Sequence, residues 1–290
     1  MKPDEDGLLL AKVAGDYREA PPAPALRPHF RCVWRHTTPT GPALPIVVVP
    51  DGCVDLLWHD GGLFVAGPDV EAARPALPPG TTVIGLRFQP GAAVPWLGLP
   101  MSAIVGRQVE LGSLWGRRAS QLAADIAIDD PPAAILARLQ SGLAGQAPSS
   151  DPPRDMALVF RSLGRGAGEA SATMPRLLER LELSERSLRR RCHEAFGYGP
   201  KRLDRILRFQ RFLDLARRAR APGAELAALA LAAGYADQAH LSREVRRLST
   251  LSAASVVRQL GGRLAVPFKT DAARLGHQTG RATTAAGAAP

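Results

Sequence analysis

The sequence has few of the features that mark a secreted, disulfide-bonded or membrane-bound protein. It contains three cysteines, Cys32, Cys53 and Cys192, and no CxxC pair, so neither a disulfide framework nor a zinc cluster is indicated. No apolar run approaches the ~20 residues that cross a bilayer. The acidic start of the chain lacks the basic and apolar pattern of a secretion signal. We therefore expect a cytoplasmic protein with reduced thiols and no membrane partner.

Catalytic and metal-binding patterns are scarce as well. His29, His36 and His59 show no HxH or HxxxH spacing, so the sequence indicates no metal and no cofactor. Asp51 and a second aspartate four residues later fall on a predicted turn and strand, which does not indicate a paired-carboxylate site. Cys53 is predicted to be buried and inert, because its turn lacks a basic neighbour. No catalytic residue and no enzyme activity are expected.

Positive charge is abundant but unevenly distributed. Residues 1–150 carry 12 Lys or Arg and 14 Asp or Glu, whereas residues 151–290 carry 25 and 13, within an overall net charge of +10. Nearly all of the positive charge is arginine, whose planar fork matches phosphates and guanine edges. A high-GC genome would explain arginine in place of lysine, but it would not explain the imbalance between the halves. The basic half is therefore predicted to bind nucleic acid.

Hydrophobic patterns predict an α+β fold with two unlike domains. From Phe30 to Phe88, short apolar runs alternate with Gly/Pro turns, which is typical of a small sheet, sandwich or partial barrel. Apolar residues then recur at helical steps, and a Gly/Pro/Ser-rich stretch at 145–153 has the composition of a linker. We assign residues 1–145 to a β-rich regulatory domain, with an irregular arm at 1–28. Residues 154–260 are assigned to an all-α domain and 261–290 to a disordered tail.

Two helix-turn-helix patterns lie within the helical part. In the second, Gly234 ends one short helix and Asp237 caps the next, whose inward positions are Leu241, Val245 and Leu248. The first repeats this design around Ser184, with Leu188, Cys192 and Phe196 inward. Outward residues of helices buried on one side can read bases in a major groove. The predicted DNA-reading residues are Arg186, Arg189, Arg190, His193, Gln238, Ala239, Ser242, Arg243 and Arg246.

A long helix from Pro200 to about Arg218 separates the two patterns. Its 19 or so residues would span ~28 Å, and neighbouring major grooves on one face of DNA lie ~34 Å apart. With some tilt, such a rod can place both reading helices in successive grooves. Its arginines at three-residue steps are phosphate-contact candidates: Arg202, Arg205, Arg208 and, one step further, Arg211.

These segments resemble the AraC/XylS family of bacterial transcription regulators. The residues that carry the resemblance are Ser184–Arg191, Gly197–Lys201, Leu207–Arg211 and Ala232–Leu241. The resemblance implies a seven-helix domain with two recognition helices in adjacent major grooves. It also implies that Pro50–Trp58, Phe64–Pro68 and Gly85–Ala93 belong to a β-rich sensor domain of one branch of that family.

Four positions depart from the pattern of the family. Glu182 and Thr250 stand where glycine is common, Cys192 replaces a bulky Phe, and Ala253 replaces a proline. A strained first turn and looser packing under the first recognition helix are the expected consequences. They leave the outward-facing residues in place.

The predicted function is that of a sequence-specific DNA-binding transcription regulator controlled by an effector at the N-terminal domain. The predicted partners are double-stranded DNA, a small-molecule effector and RNA polymerase, with the chain acting as a monomer or homodimer. Two alternatives stay open. In one, the chain binds DNA constitutively and its N-terminal domain only dimerises. In the other, the chain is a DNA-repair enzyme that carries an AraC-like reader.

Overall fold

The computed structural model of the chain describes residues 7–41, 44–148, 151–165, 174–219 and 225–261. It confirms the α+β class, with a sheet in the N-terminal half and helices in the C-terminal half. None of the described helices is long and apolar enough to cross a membrane. The limits assigned to the two domains stay a prediction, and the 262–290 part of the predicted tail lies outside the described residues.

Eight strands form a six-stranded sheet and a separate two-stranded pair. The strands are β1 (Leu9–Leu10), β2 (Asp16–Ala20), β3 (Phe30–Thr37), β4 (Ile46–Val47), β5 (Asp55–His59), β6 (Gly62–Ala66), β7 (Thr82–Phe88) and β8 (Gln108–Glu110) among the described residues. The large sheet has the antiparallel order β2-β3-β7-β5-β6-β8, and β1 pairs with β4 in parallel.

The expectation that residues 1–28 are irregular is wrong in part. β2 pairs with β3 as an edge strand, and its sequence Asp-Tyr-Arg-Glu-Ala is largely exposed. A polar edge strand has no buried face and therefore shows no alternating apolar pattern. β8 is likewise a short edge strand in a segment where a helix was expected.

Alternate residues divide the sheet into two unlike faces, because successive side chains of a strand point in opposite directions. One face is apolar, with Val33, Leu56 and Leu86 packed against four helices. These helices are α1 (Ala93–Leu97), α2 (Leu111–Trp115), α3 (Arg117–Ala123) and α4 (Pro132–Ala144). The other face carries Trp34 and Arg87 and lines a cavity.

The described C-terminal residues form seven helices, the number that the resemblance implies. They are α5 (Arg154–Arg165), α6 (Met174–Leu181), α7 (Glu185–Phe196), α8 (Pro200–Arg218), α9 (Leu226–Ala233), α10 (Gln238–Ser249) and α11 (Ala253–Gly261). One apolar core joins them, and Leu203, Phe209 and Phe212 of α8 are fully buried in it. The long helix α8 therefore packs between the two helix-turn-helix units as their common support.

Residues at the start of the chain belong to this helical core. Leu8 and Leu10 pack in the same apolar cluster as the helices. Gln259 of α11 donates to the Leu8 carbonyl at 2.9 Å and accepts from the Leu10 N–H at 2.9 Å. The arm that precedes the sheet is thus bonded to the last helix, although 249 residues separate Leu10 from Gln259.

Candidate DNA-binding surface and the cavity behind it

The first helix-turn-helix unit consists of α6 and α7. Ser184 caps α7 by accepting the Ser187 N–H at 3.2 Å, and Gly197 ends the helix at φ 82°. Ser184 is at the position that the sequence predicts, and glycine commonly ends helices in this conformation. Leu188 and Cys192 face the core at 1% and 0% exposure. The predicted DNA-reading residues of this unit are Arg186, Arg189 and Arg190, which are exposed, and His193, which is half-buried.

The second unit consists of α9 and α10 and repeats this arrangement. Asp237 caps α10 by accepting the His240 N–H at 2.6 Å, and Gly234 ends α9 at φ 88°. Leu241 and Val245 are fully buried on the inner face. The predicted DNA-reading residues of this unit are Gln238, Ala239, Arg243 and Arg246, which are exposed, and Ser242, which is half-buried. Contact of either group with DNA stays a prediction.

In the helical half, two described turns hold non-glycine residues in the left-handed region. Glu182, between α6 and α7, has φ 52°, and Thr250, after α10, has φ 62°. These are two of the positions where the sequence departs from the glycine that the family commonly has. An L-residue with a β-carbon pays roughly 1–2 kcal/mol in this conformation. The strain expected at the first turn therefore has a backbone cause.

The arginines of α8 are engaged within the protein to different degrees. Arg205 donates two hydrogen bonds to Glu244 of α10, at 2.8 and 2.9 Å. Arg208 pairs with Asp204, and Arg211 donates to the carbonyls of Leu163, Gly164 and Ala233. Arg202 is exposed. Phosphate contact stays a prediction for Arg202, Arg205 and Arg208. Arg211 instead connects α8 to α5 and α9 through its hydrogen bonds.

Each recognition helix is tied to a supporting helix by an ion pair that sequence reasoning missed. On α7, Arg191 pairs with Asp155 of α5. On α10, Glu244 pairs with Arg205 of α8. Burial works against the charge of Glu244, but the hydrogen bonds and charge of Arg205 hold its pKa below the usual value. The sequence does contain a signal for the second ion pair. A carboxylate on a recognition helix would repel phosphate, so a cation is expected to neutralise it.

A cavity of about 370 Å³ lies between the sheet and the helical domain. Its floor is the polar face of the sheet, and its remaining walls come from β1, β4, α8 and α11. Residues of both halves therefore meet at one space, including Tyr17 and Trp34 from the sheet and Gln210, Leu213 and Leu260 from the helices. Its volume falls in the range of small-molecule sites.

Charged groups on the cavity floor form a linked set. Arg87 bonds Asp55 at 2.8 and 3.0 Å and Asp51 at 3.0 Å. Burial opposes ionisation of Asp51, but Arg87 and Lys12 hold its pKa below the usual value. Burial, with the charge of Arg87, lowers the pKa of Lys12 to about 8. Burial, with the charges of Asp51 and Asp55, raises the pKa of Asp69 to about 7.

The turn that carries Asp51 is also the point where the sheet domain touches α8. Asp51 accepts the Cys53 N–H at 3.0 Å, which closes the turn as the sequence predicts. Gln210 of α8 donates to the Pro50 carbonyl at 2.6 Å. Burial raises the pKa of the Cys53 thiol, so it is not a ready thiolate. The described residues contain no group of three or more His, Cys, Asp or Glu that could hold a metal ion.

Two family models match the chain. Residues 177–259 match the family described as helix-turn-helix domain, and residues 18–110 match a domain of unknown function, DUF6597. The C-terminal part is thus a DNA-binding domain of the helix-turn-helix class. It is a helix-turn-helix domain of the AraC type, which confirms the resemblance.

Similar solved structures include ToxT from Vibrio cholerae. The structure from strain O395 has a TM-score of 0.41 and 11% identity, and covers 80% of this chain and 97% of that chain. A P21 crystal form has a TM-score of 0.42 and 10% identity, and covers 86% of this chain and 100% of that chain. Unsaturated fatty acid bound wild-type ToxT from strain SCE256 has a TM-score of 0.39 and 11% identity, and covers 76% and 88%. No curated protein matches the sequence significantly.

Proposed function

We propose that the chain is a sequence-specific transcription regulator whose helices α7 and α10 enter adjacent major grooves. The observation that carries this proposal is the repeated geometry of the two units. Each has a capped second helix that is buried on one side and exposes arginine on the other. Outward arginines on such a helix can pair with the O6 and N7 atoms of guanine.

The separation of the two units fits this reading. α8 has 19 residues, which corresponds to ~28 Å of helix. Major grooves on one face of DNA recur at ~34 Å, so a tilted rod can bridge them. Because both readers belong to one chain, a monomer would bind an asymmetric site, and a homodimer would bind two such sites. Contact with RNA polymerase would follow from a function as an activator.

The cavity supports control by an effector over constitutive binding. Its walls come from both halves of the chain, so a ligand inside it would contact the sheet and α8 at once. A ligand that binds one arrangement of the halves better than another shifts the population toward that arrangement. Ligand-induced thermal stabilisation of the full chain separates this proposal from a purely constitutive binder.

Footprinting of the purified full chain on genomic DNA tests the DNA-binding proposal and also yields the site. We expect protection of two half-sites about one helical turn, ~10 bp, apart. If five to eight phosphates are neutralised, log K should fall against log salt with a slope of about −5 to −7. A slope near −1, or absence of any protected site, would contradict the proposal.

A further inference from the structure

The floor of the cavity has an aromatic half. Trp34 of β3 lies flat on the sheet over Gly85 of β7, where a β-carbon would lie 2.1 Å from Trp34 Cε2. Tyr17 of β2 follows it, with the two ring centroids 5.9 Å apart. The Lys12 ammonium already lies 5.3 Å from the Tyr17 ring centre. These ring faces attract cations and apolar groups, because the aromatic quadrupole is negative on its face.

Cations on the cavity wall are mostly matched by carboxylates. Arg87 lies between Asp51 and Asp55. Lys12 lies 3.9 Å from Glu19, and Arg217 donates to Asp214 at 2.6 Å. The remaining two lining arginines are exposed, namely Arg74, which donates to Thr250, and Arg107. An anionic ligand would therefore have to compete with carboxylates at Arg87, Lys12 and Arg217. Among the described residues, it would find cations without a carboxylate partner at the exposed Arg74 and Arg107.

Asp69 differs from the other carboxylates on the cavity wall, Asp51 and Asp55, in having no partner in the described part of the chain. It is half-buried, and in the described part of the chain it has neither an ion pair nor a hydrogen bond. Its electrostatic neighbours are two further carboxylates, Asp51 and Asp55, with no cation among them. A half-buried carboxylate beside like charges lacks a positive partner, so the positive group of a ligand would relieve the repulsion at this point of the wall.

A second buried polar group lies on the helical side, outside the cavity lining, within reach of the charge of Asp69. Tyr198, directly after α7, is 4% exposed, and its hydroxyl has no hydrogen-bond partner. Asp51, Cys53 and Asp69 are the groups whose charges act on it most strongly. A buried hydroxyl without a partner costs free energy that a shift in position can recover. The acidic end of the cavity therefore offers a ligand the Asp69 carboxylate, while Tyr198 lies outside the lining.

We propose that the cavity binds a small organic monocation, an amine or guanidinium on an apolar or aromatic body. The positive group lies at Asp69, and the body lies over Trp34 and Tyr17. This proposal rests on the effector site of the proposed function and names the ligand class for it.

The position of Asp69 links the ligand to the first recognition helix. Asp69 follows Pro68, and a β-carbon at Gly197 would lie 2.9 Å from Pro68 Cγ and 2.5 Å from Val105 Cγ2. Gly197 is the residue that ends α7. A cation that binds Asp69 therefore acts one residue away from Pro68, which packs against the end of α7. The second recognition helix has a different contact with the cavity wall, because Arg74 donates to Thr250, which ends α10, at 3.2 Å.

Calorimetric titration of the full chain without DNA tests the ligand class. The probes are 2-phenylethylammonium and its anionic counterpart 3-phenylpropanoate, which share the ring and differ in the sign of the end group. We expect the cation to bind and the anion to bind about tenfold more weakly or not at all. Tighter binding of the anion, or no heat and no thermal shift with the cation, overturns the proposal.

Two variants locate the charge. Asp69→Asn keeps the shape of the side chain and removes its charge, so it should weaken binding of the cation by about tenfold or more. Asp125→Asn, at an exposed site outside the cavity lining, should leave it unchanged. Equal loss in both variants, or none in Asp69→Asn, overturns the proposal. Thermal melts of both variants establish that each is folded.

The wild-type chain offers a check that needs no variant. The cation should bind more tightly at about pH 8 than at about pH 6, because Asp69 must lose a proton to pair with it. The charges of Asp51 and Asp55 act on Asp69, and the charge of Asp69 acts on Tyr198. Lys12 loses charge in the same pH range because burial lowers its pKa to about 8. The part of the pH dependence that Asp69→Asn removes belongs to Asp69. If the variant shows the same pH dependence of binding as the wild type, the proposal is overturned. If footprinting shows no protected site, the DNA-binding proposal is contradicted. The titrations are made without DNA, so their test of the ligand class is unaffected by that result.

Discussion

The two helix-turn-helix units differ in what lies against them. Gly197, at the end of α7, is packed against Pro68, Met101 and Val105 of the N-terminal half. Gly234 lies earlier in the second unit, at the end of α9, and has the Arg211 side chain of the helical domain beside it. The recognition helices thus share caps and buried faces but not surroundings. The end of α7 packs closely against the N-terminal half, whereas the end of α10 has a hydrogen bond to it, from Arg74 to the Thr250 hydroxyl at 3.2 Å.

Matched substitutions at the two glycines should give the largest effect. Both adopt left-handed conformations, so alanine costs roughly 1–2 kcal/mol at either site. At Gly197 the β-carbon also meets Val105 at 2.5 Å, whereas at Gly234 the nearest atom is Arg211 Nη1 at 3.3 Å. Overpacking adds roughly 1–3 kcal/mol. Gly197→Ala should therefore lower the free energy of unfolding by about 2–5 kcal/mol and Gly234→Ala by about 1–2 kcal/mol. Urea unfolding measures both, and equal losses would remove the proposed difference in packing between the two glycine sites.

Arginine substitutions on the two recognition helices sharpen the comparison at the DNA. A bidentate contact with guanine is worth about 1–3 kcal/mol against a wrong base. Arg190→Ala should relax base preference in one half-site and Arg243→Ala in the other. We expect Arg243→Ala to cost more, because the first unit has the strained Glu182 turn and the small Cys192 in its core. Selection from a randomised site library measures this. Equal loss at every base position would make both residues phosphate contacts.

The pH dependence of stability tests the raised pKa of Asp69, the cavity residue next to the contact with the first unit. The pKa of Asp69 rises from 3.8 to about 7 in the folded protein, because burial and two carboxylates oppose its charge. The folded state then holds this proton more tightly than the unfolded state, so the contribution is full below about pH 4 and is lost as the pH rises through 7. Asp69→Asn should be more stable than wild type at about pH 8, by about 1–2 kcal/mol, and no more stable at about pH 4. Parallel curves for both proteins would refute the shifted pKa.

The smallest expected effect is a gain at the strained turn of the first unit. Glu182 is exposed and has φ 52°, a conformation that glycine adopts without a penalty. Glu182→Gly should raise the free energy of unfolding by about 0.5–1 kcal/mol, since the greater freedom of glycine in the unfolded chain offsets part of the relief. Glu185→Gly, inside α7, is a control that should destabilise. A loss in both variants would mean that the turn is not strained.

Sequence alone determined the features that depend on neighbours along the chain. The strands from Phe30 to Phe88, the caps Ser184 and Asp237 and the glycine ends Gly197 and Gly234 all follow from patterns a few residues long. Hydrophobic periodicity and capping act within one or two turns, so a single sequence carries them. The same holds for the outward arginines of both recognition helices, whose exposure follows from helical spacing.

Only the tertiary structure decided which distant residues meet. Arg205 pairs with Glu244, 39 residues away, and Leu10 bonds to Gln259 across 249 residues. The cavity exists because the polar face of the sheet is set against α8 and α11, and the raised pKa of Asp69 exists because that arrangement buries it near two other carboxylates. Burial and electrostatic fields depend on the three-dimensional position of every neighbour, and no periodicity along the chain encodes that.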